Sequence, residues 1–318
     1  MKALIFDIYK GTTHDGPGTR DTVFFKGCPL KCKWCHNPEG IDFYNDVWQD
    51  KALCIGCGEC IKACENKAIS VTSEGISINS SCKKCFVCAE VCPSKAITKI
   101  AQEYTPEALA EEIMKDKEYF DISGGGVTVS GGEAAFHAEF VSEFFRIMKQ
   151  KGISTALDTS GFCDPNVFSK ILENTDIVLY DLKVIDNFLH KEWTGVDNDI
   201  ILENIKNIKN KRLWIRTPLI PNFTANENVI HNISRFIKEN IMDKVERWEL
   251  CAFNNSCYKK YLKLNKEWEL KGAGLITSHQ SEQFLKIAKT SGVNQIICSG
   301  ILNNQKGDVK KAQNTKMA

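Results

Sequence analysis

The chain has 318 residues, 25% of them charged and 43% apolar, with a formal net charge of +1 at pH 7. That length holds one large domain or two smaller ones and can bury a real core. So balanced a charge excludes the electrostatic footprint of a nucleic-acid or membrane-surface protein, and no run approaches the ~18 apolar residues of a membrane helix. The opening MKALIFDIYKG is too short and too polar for a secretory signal, so a cytoplasmic protein is expected, acting as a monomer.

Strand-like runs at 4–8 and 22–25 open the chain. From about Asp46 to Ile100 the apolar periodicity lapses, and little in that stretch could form a core. Thr105 and Pro106 then supply an N-cap and a first-turn proline for a helix continued by 108–119. Further strands are predicted at 127–129, 155–158, 177–181, 213–218, 247–253 and 295–298. Amphipathic helices fall between them at 139–151, 165–173, 198–210, 226–239 and 280–290. This alternation predicts an α/β fold with a parallel sheet and right-handed crossovers, and the length suits barrel-like closure. Periodicity alone leaves a full barrel, a partial barrel and an open sheet all standing. From about Asn303 the run NNQKGDVKKAQNTKMA is polar and aperiodic, which predicts a flexible tail over 303–318.

Eleven of the fifteen cysteines lie in three runs. Cys28, Cys32 and Cys35 read C-x3-C-x2-C. Cys54, Cys57, Cys60 and Cys64 read C-x2-C-x2-C-x3-C, and Cys82, Cys85, Cys88 and Cys92 repeat that spacing 28 residues later. Metal binding accounts for such runs better than a disulfide scaffold in a chain of this size. Four thiolates can close the coordination of an iron–sulfur cluster, whereas three leave one iron without a protein ligand. The segments KACENKAISV and EVCPSKAITK look like two copies of one unit. Residues 46–100 therefore read as an inserted ferredoxin-like module, folded around metal because ligand bonds replace the missing core. In two-cluster ferredoxins the last cysteine of each run ligates the opposite cluster. Cys54, Cys57, Cys60 and Cys92 would then hold one cluster, and Cys64, Cys82, Cys85 and Cys88 the other. Zinc is the alternative, since paired C-x-x-C motifs also make tetrahedral sites, but zinc rarely calls for third and fourth cysteines at these gaps, twice over. The scattered Cys163, Cys251, Cys257 and Cys298 are expected to pack as small hydrophobes.

The run KGCPLKCKWCHNPE at 26–39, with aromatic Trp34 just before the last cysteine, is similar to the radical S-adenosylmethionine superfamily. In that family the cofactor's amino and carboxylate groups take the open iron at the Cys28/Cys32/Cys35 cluster. One electron then splits the sulfonium to a 5′-deoxyadenosyl radical that abstracts hydrogen. Just upstream, Asp15-Gly16-Pro17-Gly18-Thr19-Arg20 resembles the DGPG-x-R signature of glycyl-radical-enzyme activases. The resemblance extends to about Phe253 and weakens beyond it. It implies a partial (β/α)6-type TIM barrel, built from 1–45 and 101–302, with the two-cluster ferredoxin-like insert at 46–100. It also implies three [4Fe–4S] clusters, S-adenosylmethionine, an anaerobic setting, a glycyl radical enzyme as protein substrate, and a flavodoxin or ferredoxin as reductant.

Ser130-Gly131-Gly132-Glu133 resembles the family's GGE motif, which holds the cofactor's amino end. Two glycines let backbone approach a ligand, and Glu133 offers an acceptor to an ammonium. Asp158-Thr159-Ser160-Gly161 resembles a DTNG strand end, and Asp181-Leu182-Lys183 a DLK motif. By this resemblance Lys183 pairs with the cofactor carboxylate, Asp158 and Asp181 lie near the ribose or a cation, and Arg216 in WIRTP faces the cofactor. Solvated strand ends and a bracing arginine are the plain alternatives. Asp15 would lie where the partner's glycine loop docks. Where many members carry histidine, this chain has Asn254, which cannot carry positive charge. His14 and His36 flank the motifs and are expected to be solvated or packing residues. Two other functions stay open at this point: radical chemistry on a different peptide or small molecule, and a multi-cluster electron carrier.

Overall fold

The computed structural model describes residues 1–72 and 75–304. Its main sheet holds β1 (Ala3–Thr12), β2 (Arg20–Phe25), β3 (Gln102–Tyr104), β4 (Gly126–Gly131), β5 (Ser154–Thr159), β6 (Ile177–Asp181), β7 (Arg212–Leu219), β8 (Val245–Ala252) and β9 (Gln295–Ser299). The order is β9-β8-β7-β6-β5-β4-β2-β1-β3. Every neighbouring pair from β2 through β9 is parallel, and β1 lies antiparallel between β2 and β3. Seven strands are thus parallel, and the expected strands at 22–25 and 295–298 both join the set, as 20–25 and 295–299. The sheet ends on β9 and β3 and does not close on itself.

Helices α1 (Pro106–Ile113), α2 (Lys117–Ser123), α3 (Ala138–Gln150), α4 (Pro165–Glu173), α5 (Asn187–Thr194), α6 (Asp199–Asn207), α7 (Glu227–Asn240), α8 (Tyr258–Lys263) and α9 (Ser278–Ala288) connect the strands. In α3 the buried residues are Phe140, Val141, Phe144, Phe145 and Met148, the stripe of a helix with one wet face. Thr105 caps α1 by accepting from the Ala108 N–H, as expected. The helix expected over 108–119 instead breaks at a tight turn, Met114–Asp116, which brings the Asp116 carboxylate 2.7 Å from Lys10 on β1. The sequence reading missed α5 and α8. Of α8 only Tyr261 is buried, too thin a stripe to register as periodicity.

Residues 46–100 form two ribbons, Val47–Gln49 with Ile97–Lys99 and Ile69–Thr72 with Gly75–Ile78, and two one-turn helices, Glu59–Lys62 and Val87–Glu90. Their apolar cluster, including Val47, Ile69, Ala96 and Ile97 with Cys60 and Cys92, is separate from the main core. The segment enters and leaves side by side: the Ile100 N–H donates to the Asp46 carbonyl at 2.9 Å, and the Asn45 side chain bonds both ways to Ala101. Its two halves repeat one backbone path. Left-handed φ falls at Gly56, Gly58 and Lys67, and again 28 residues on at Lys84, Phe86 and Lys95. Holding side-chain-bearing residues there costs about 1–2 kcal/mol each, so the turn is imposed by the loop geometry and not by residue preference.

At Asn303, where a flexible tail was expected to start, the chain is still bonded to its neighbours. Asn303 donates its N–H to the Ile276 carbonyl at 2.8 Å and accepts from the Ser278 N–H, which ties it to the start of α9. Positions 305–318 lie outside the described residues. Among the described residues no helix is long and apolar enough to cross a membrane.

Candidate active site

Beyond β2 the chain runs through an irregular loop, 26–40, that is pinned from below. Gly27 donates to the Gly40 carbonyl at 2.7 Å and Cys28 to the Ile41 carbonyl at 2.9 Å, while the buried Lys26 ammonium donates to the Glu39 carbonyl. The last carbonyls of α5 accept from this loop as well, Thr194 from the Lys31 N–H at 2.7 Å and Trp193 from the Lys33 N–H at 3.1 Å. Trp34 is buried against Trp193 and Phe223 and backs the cavity wall.

Held this way, Cys28, Cys32 and Cys35 line one cavity of about 470 Å³. That cavity is shared by every expected cofactor residue: Trp34, Gly131, Gly132, Glu133, Asp158, Asp181, Lys183 and Arg216. Burial pushes the Cys32 thiol up to about 11 and the Cys35 thiol up to about 12, and Cys28 higher still. All fifteen cysteines are free, and among the described residues no three His, Cys, Asp or Glu side chains converge on a single-ion point. Soft thiols on one loop suit iron–sulfur ligation at one sulfur per iron, and the volume falls within the ~300–1,000 Å³ of small-molecule sites. The residues fit the group.

The GGE turn is shaped by the cysteine loop. Gly132 donates to the Phe25 carbonyl at 2.7 Å and Glu133 to the Gly27 carbonyl at 2.8 Å. A Cβ on Gly132 would sit 2.3 Å from the Gly27 oxygen, and one on Gly131 would sit 2.2 Å from the Phe25 nitrogen. These glycines are therefore demanded by loop packing, independently of any ligand. Glu133 is buried, and both its oxygens are engaged. Oε1 accepts from Thr159 Oγ1 and the Ala135 N–H, and Oε2 from the Ser160 N–H at 2.8 Å and Ser160 Oγ. Burial raises its pKa, and these four donors pull the other way. An ammonium reaching Glu133 must displace one of them.

On the next three strands the cavity's charges come in pairs. Lys183 Nζ lies 2.6 Å from Asp181 Oδ2. Burial works against the Lys183 cation, but Asp181 and Cys32 outweigh it and its pKa is raised. Arg216 Nη1 lies 3.4 Å from Asp158 and 3.5 Å from Asp15. Burial lifts Asp158 to about 7, Asp181 and Asp15 add to the rise, and Arg216 opposes it. Asp15 thus points inward, and Thr22 Oγ1 donates to it at 2.8 Å. The loop carrying Asp15 is anchored by the fully buried Arg20, whose Nη2 donates to the Val127 carbonyl at 2.6 Å and Nε to Thr128 Oγ1 at 2.8 Å. Burial lowers the Arg20 pKa to about 10.

Three participants were not among the residues expected here. Thr159 and Ser160 hold Glu133, and Cys251, expected only to pack, lines the cavity beside Arg216. Cys251 betrayed nothing in sequence, because a lone cysteine on a strand gives no sign of which face it takes. His36 packs edge-on against Phe253 and Trp268, whereas His14 is exposed at the rim. Asn254 also lines the cavity and accepts from the Ser256 N–H at 3.1 Å. In the inserted segment a second cavity gathers Cys64 with Cys82, Cys85 and Cys88, while Cys60 and Cys92 lie in the separate apolar cluster with Cys54, Cys64 and Cys88 all packed against it.

The radical SAM superfamily pattern matches residues 22–232. The chain belongs to the radical SAM superfamily. This radical SAM protein is 34% identical over 297 residues to the 4-hydroxyphenylacetate decarboxylase activating enzyme of Clostridium scatologenes, covering 90% of this chain and 94% of that one. It is 36% identical over 276 residues to the (2S)-3-sulfopropanediol dehydratase activating enzyme of Klebsiella oxytoca, covering 84% and 87%. A solved domain of a pyruvate-formate lyase-activating enzyme from Bacteroides vulgatus matches with 25% identity and a TM-score of 0.47, over 55% of this chain and 99% of that one. Coverage of 90% carries the likeness past Phe253, further than the motifs had reached. The protein is a radical SAM activating enzyme: it cleaves S-adenosylmethionine reductively and abstracts a hydrogen from a glycine of a glycyl radical enzyme.

Proposed function

We propose that this activase works with three [4Fe–4S] clusters, one in the cavity and two in a ferredoxin-like segment at 46–100 that relays electrons from a flavodoxin or ferredoxin. Cys28, Cys32 and Cys35 hold the first, and one iron is left to S-adenosylmethionine. The chemistry supplied there is one-electron cleavage of the sulfonium coupled to removal of a hydrogen atom from glycine. Lys183, kept charged by Asp181, is the fixed positive point for the cofactor carboxylate. The Gly131–Gly132 backbone, locked onto the cysteine loop, borders its amino end. Asp158 and Arg216 line the same cavity, and Trp34 closes the side against water. Asp15, tied to Arg216 and Thr22, sits on the path a glycine loop would take inward.

The observation that carries this reading is the convergence of three thiols and four polar strand ends on a single cavity. The relay is supported by the repeated left-handed turns and by the grouping of Cys64 with Cys82, Cys85 and Cys88 across the two runs. Anaerobic reconstitution tests it. Wild type is expected to bind about twelve irons, and Cys60→Ala about eight while still forming 5′-deoxyadenosine with dithionite. Cys28→Ala is expected to keep the inserted clusters and form none. An iron content of about four in wild type would refute the relay and leave the activase standing.

A further inference from the structure

We propose that residues 258–271, comprising α8 and the turn to Trp268, form a strut that fixes the spacing between the cysteine loop and the inserted segment. The proposal rests on the three-cluster reading for its consequence, which is control of electron passage between the two. On the loop side, the Tyr261 hydroxyl donates to the Cys35 carbonyl at 2.9 Å and Trp268 Nε1 to the Lys33 carbonyl at 3.1 Å. Lys260 Nζ lies 2.6 Å from the buried Glu39 carboxylate and 2.9 Å from Asn37 Oδ1. Tyr261 and Trp268 stack at 5.2 Å, which makes the two anchors one rigid unit.

On the other side, Lys263 Nζ lies 2.9 Å from Asp50, four residues before Cys54; Lys266 Nζ, 3.3 Å from Asp42, adds a contact to the chain between the cysteine loop and the segment. The inserted segment has a small core of its own and leaves the barrel through two adjacent connections, Asn45–Asp46 and Ile100–Ala101. A body held at one narrow neck swings unless something grips it away from the neck. The Lys263–Asp50 pair is such a grip, on the same short helix whose Tyr261 holds Cys35 in place. Electron transfer weakens steeply with distance, so a grip that stops the swing keeps the segment's cysteines at a working separation from the loop.

The test uses the reconstituted holoenzyme, with Lys263→Glu and the charge-swapped Lys263→Glu/Asp50→Lys. Hydrogen exchange over residues 46–60 is expected to rise about fivefold in the single variant, the scale of one exposed ion pair. Magnetic broadening between the loop cluster and the inserted clusters in the reduced protein is expected to weaken with it. Both return toward wild type in the swapped variant, while dithionite-driven 5′-deoxyadenosine formation is unchanged throughout. Wild-type exchange and broadening in Lys263→Glu would overturn the strut. A wild-type protein that binds only about four irons and shows no such broadening would instead overturn the three-cluster reading.

Discussion

Glu133 shows how much of this site is built by residues that no ligand need touch. Its carboxylate joins the end of β4 to the end of β5 through Thr159 and Ser160, and this brings the GGE turn and the DTSG turn to the same wall. Thr159→Val leaves a buried carboxylate short of one donor, which is expected to lower unfolding stability by about 1–3 kcal/mol in urea titrations and to weaken S-adenosylmethionine binding. Asp158 gives a pH signature. Its folded pKa of about 7 exceeds the ~4 of the unfolded chain, so the folded state binds more protons between those values. Stability from this group therefore falls as pH rises from ~4 to ~7, and the loss is complete above that. Asp158→Asn is expected to gain ~1–2 kcal/mol on wild type between pH 5 and pH 8 in urea unfolding. A constant difference across that range would show that Asp158 is ionised throughout.

Among the elements, the cysteine loop depends on its neighbours more than on its own sequence. Gly132→Ala would place a methyl against the Gly27 carbonyl, where the nearest contact is backbone. It is expected to cost several-fold in cluster occupancy, read as iron per protein, even though the cysteines are untouched. The parallel strands were legible because each is a short apolar run bounded by polar ends, as in Ile177–Asp181, whose observed bounds match the expected ones. The polar residues that line the cavity were legible for the same reason, since they stand where those runs turn polar. The clamp from α5 and α8 was not legible. Asn187–Thr194 and Tyr258–Lys263 act through carbonyls, one hydroxyl and lysines, and their sequences carry no strong stripe. The inward turn of Asp15 was equally hidden, because it is set by Arg20 threading to Val127, over a hundred residues away.

For the whole molecule, two bodies with separate cores share one chain. With the two proposed clusters in place, the eight-cysteine segment is expected to unfold on iron removal while the main domain persists, because its own apolar cluster is small. Chelation should therefore expose 46–100 to protease long before the barrel is cut; simultaneous cleavage of both would contradict this. The barrel's opening and the inward polar ring suit a substrate that is itself a loop of another protein. That claim has a direct measurement. A partner glycyl radical enzyme labelled with α-deuterated glycine is incubated with the reduced, reconstituted activase and S-adenosylmethionine, and the 5′-deoxyadenosine is weighed by mass spectrometry. The account predicts one deuterium in its methyl group together with a glycyl radical signal on the partner. Deoxyadenosine formed without deuterium, and without that signal, would contradict it.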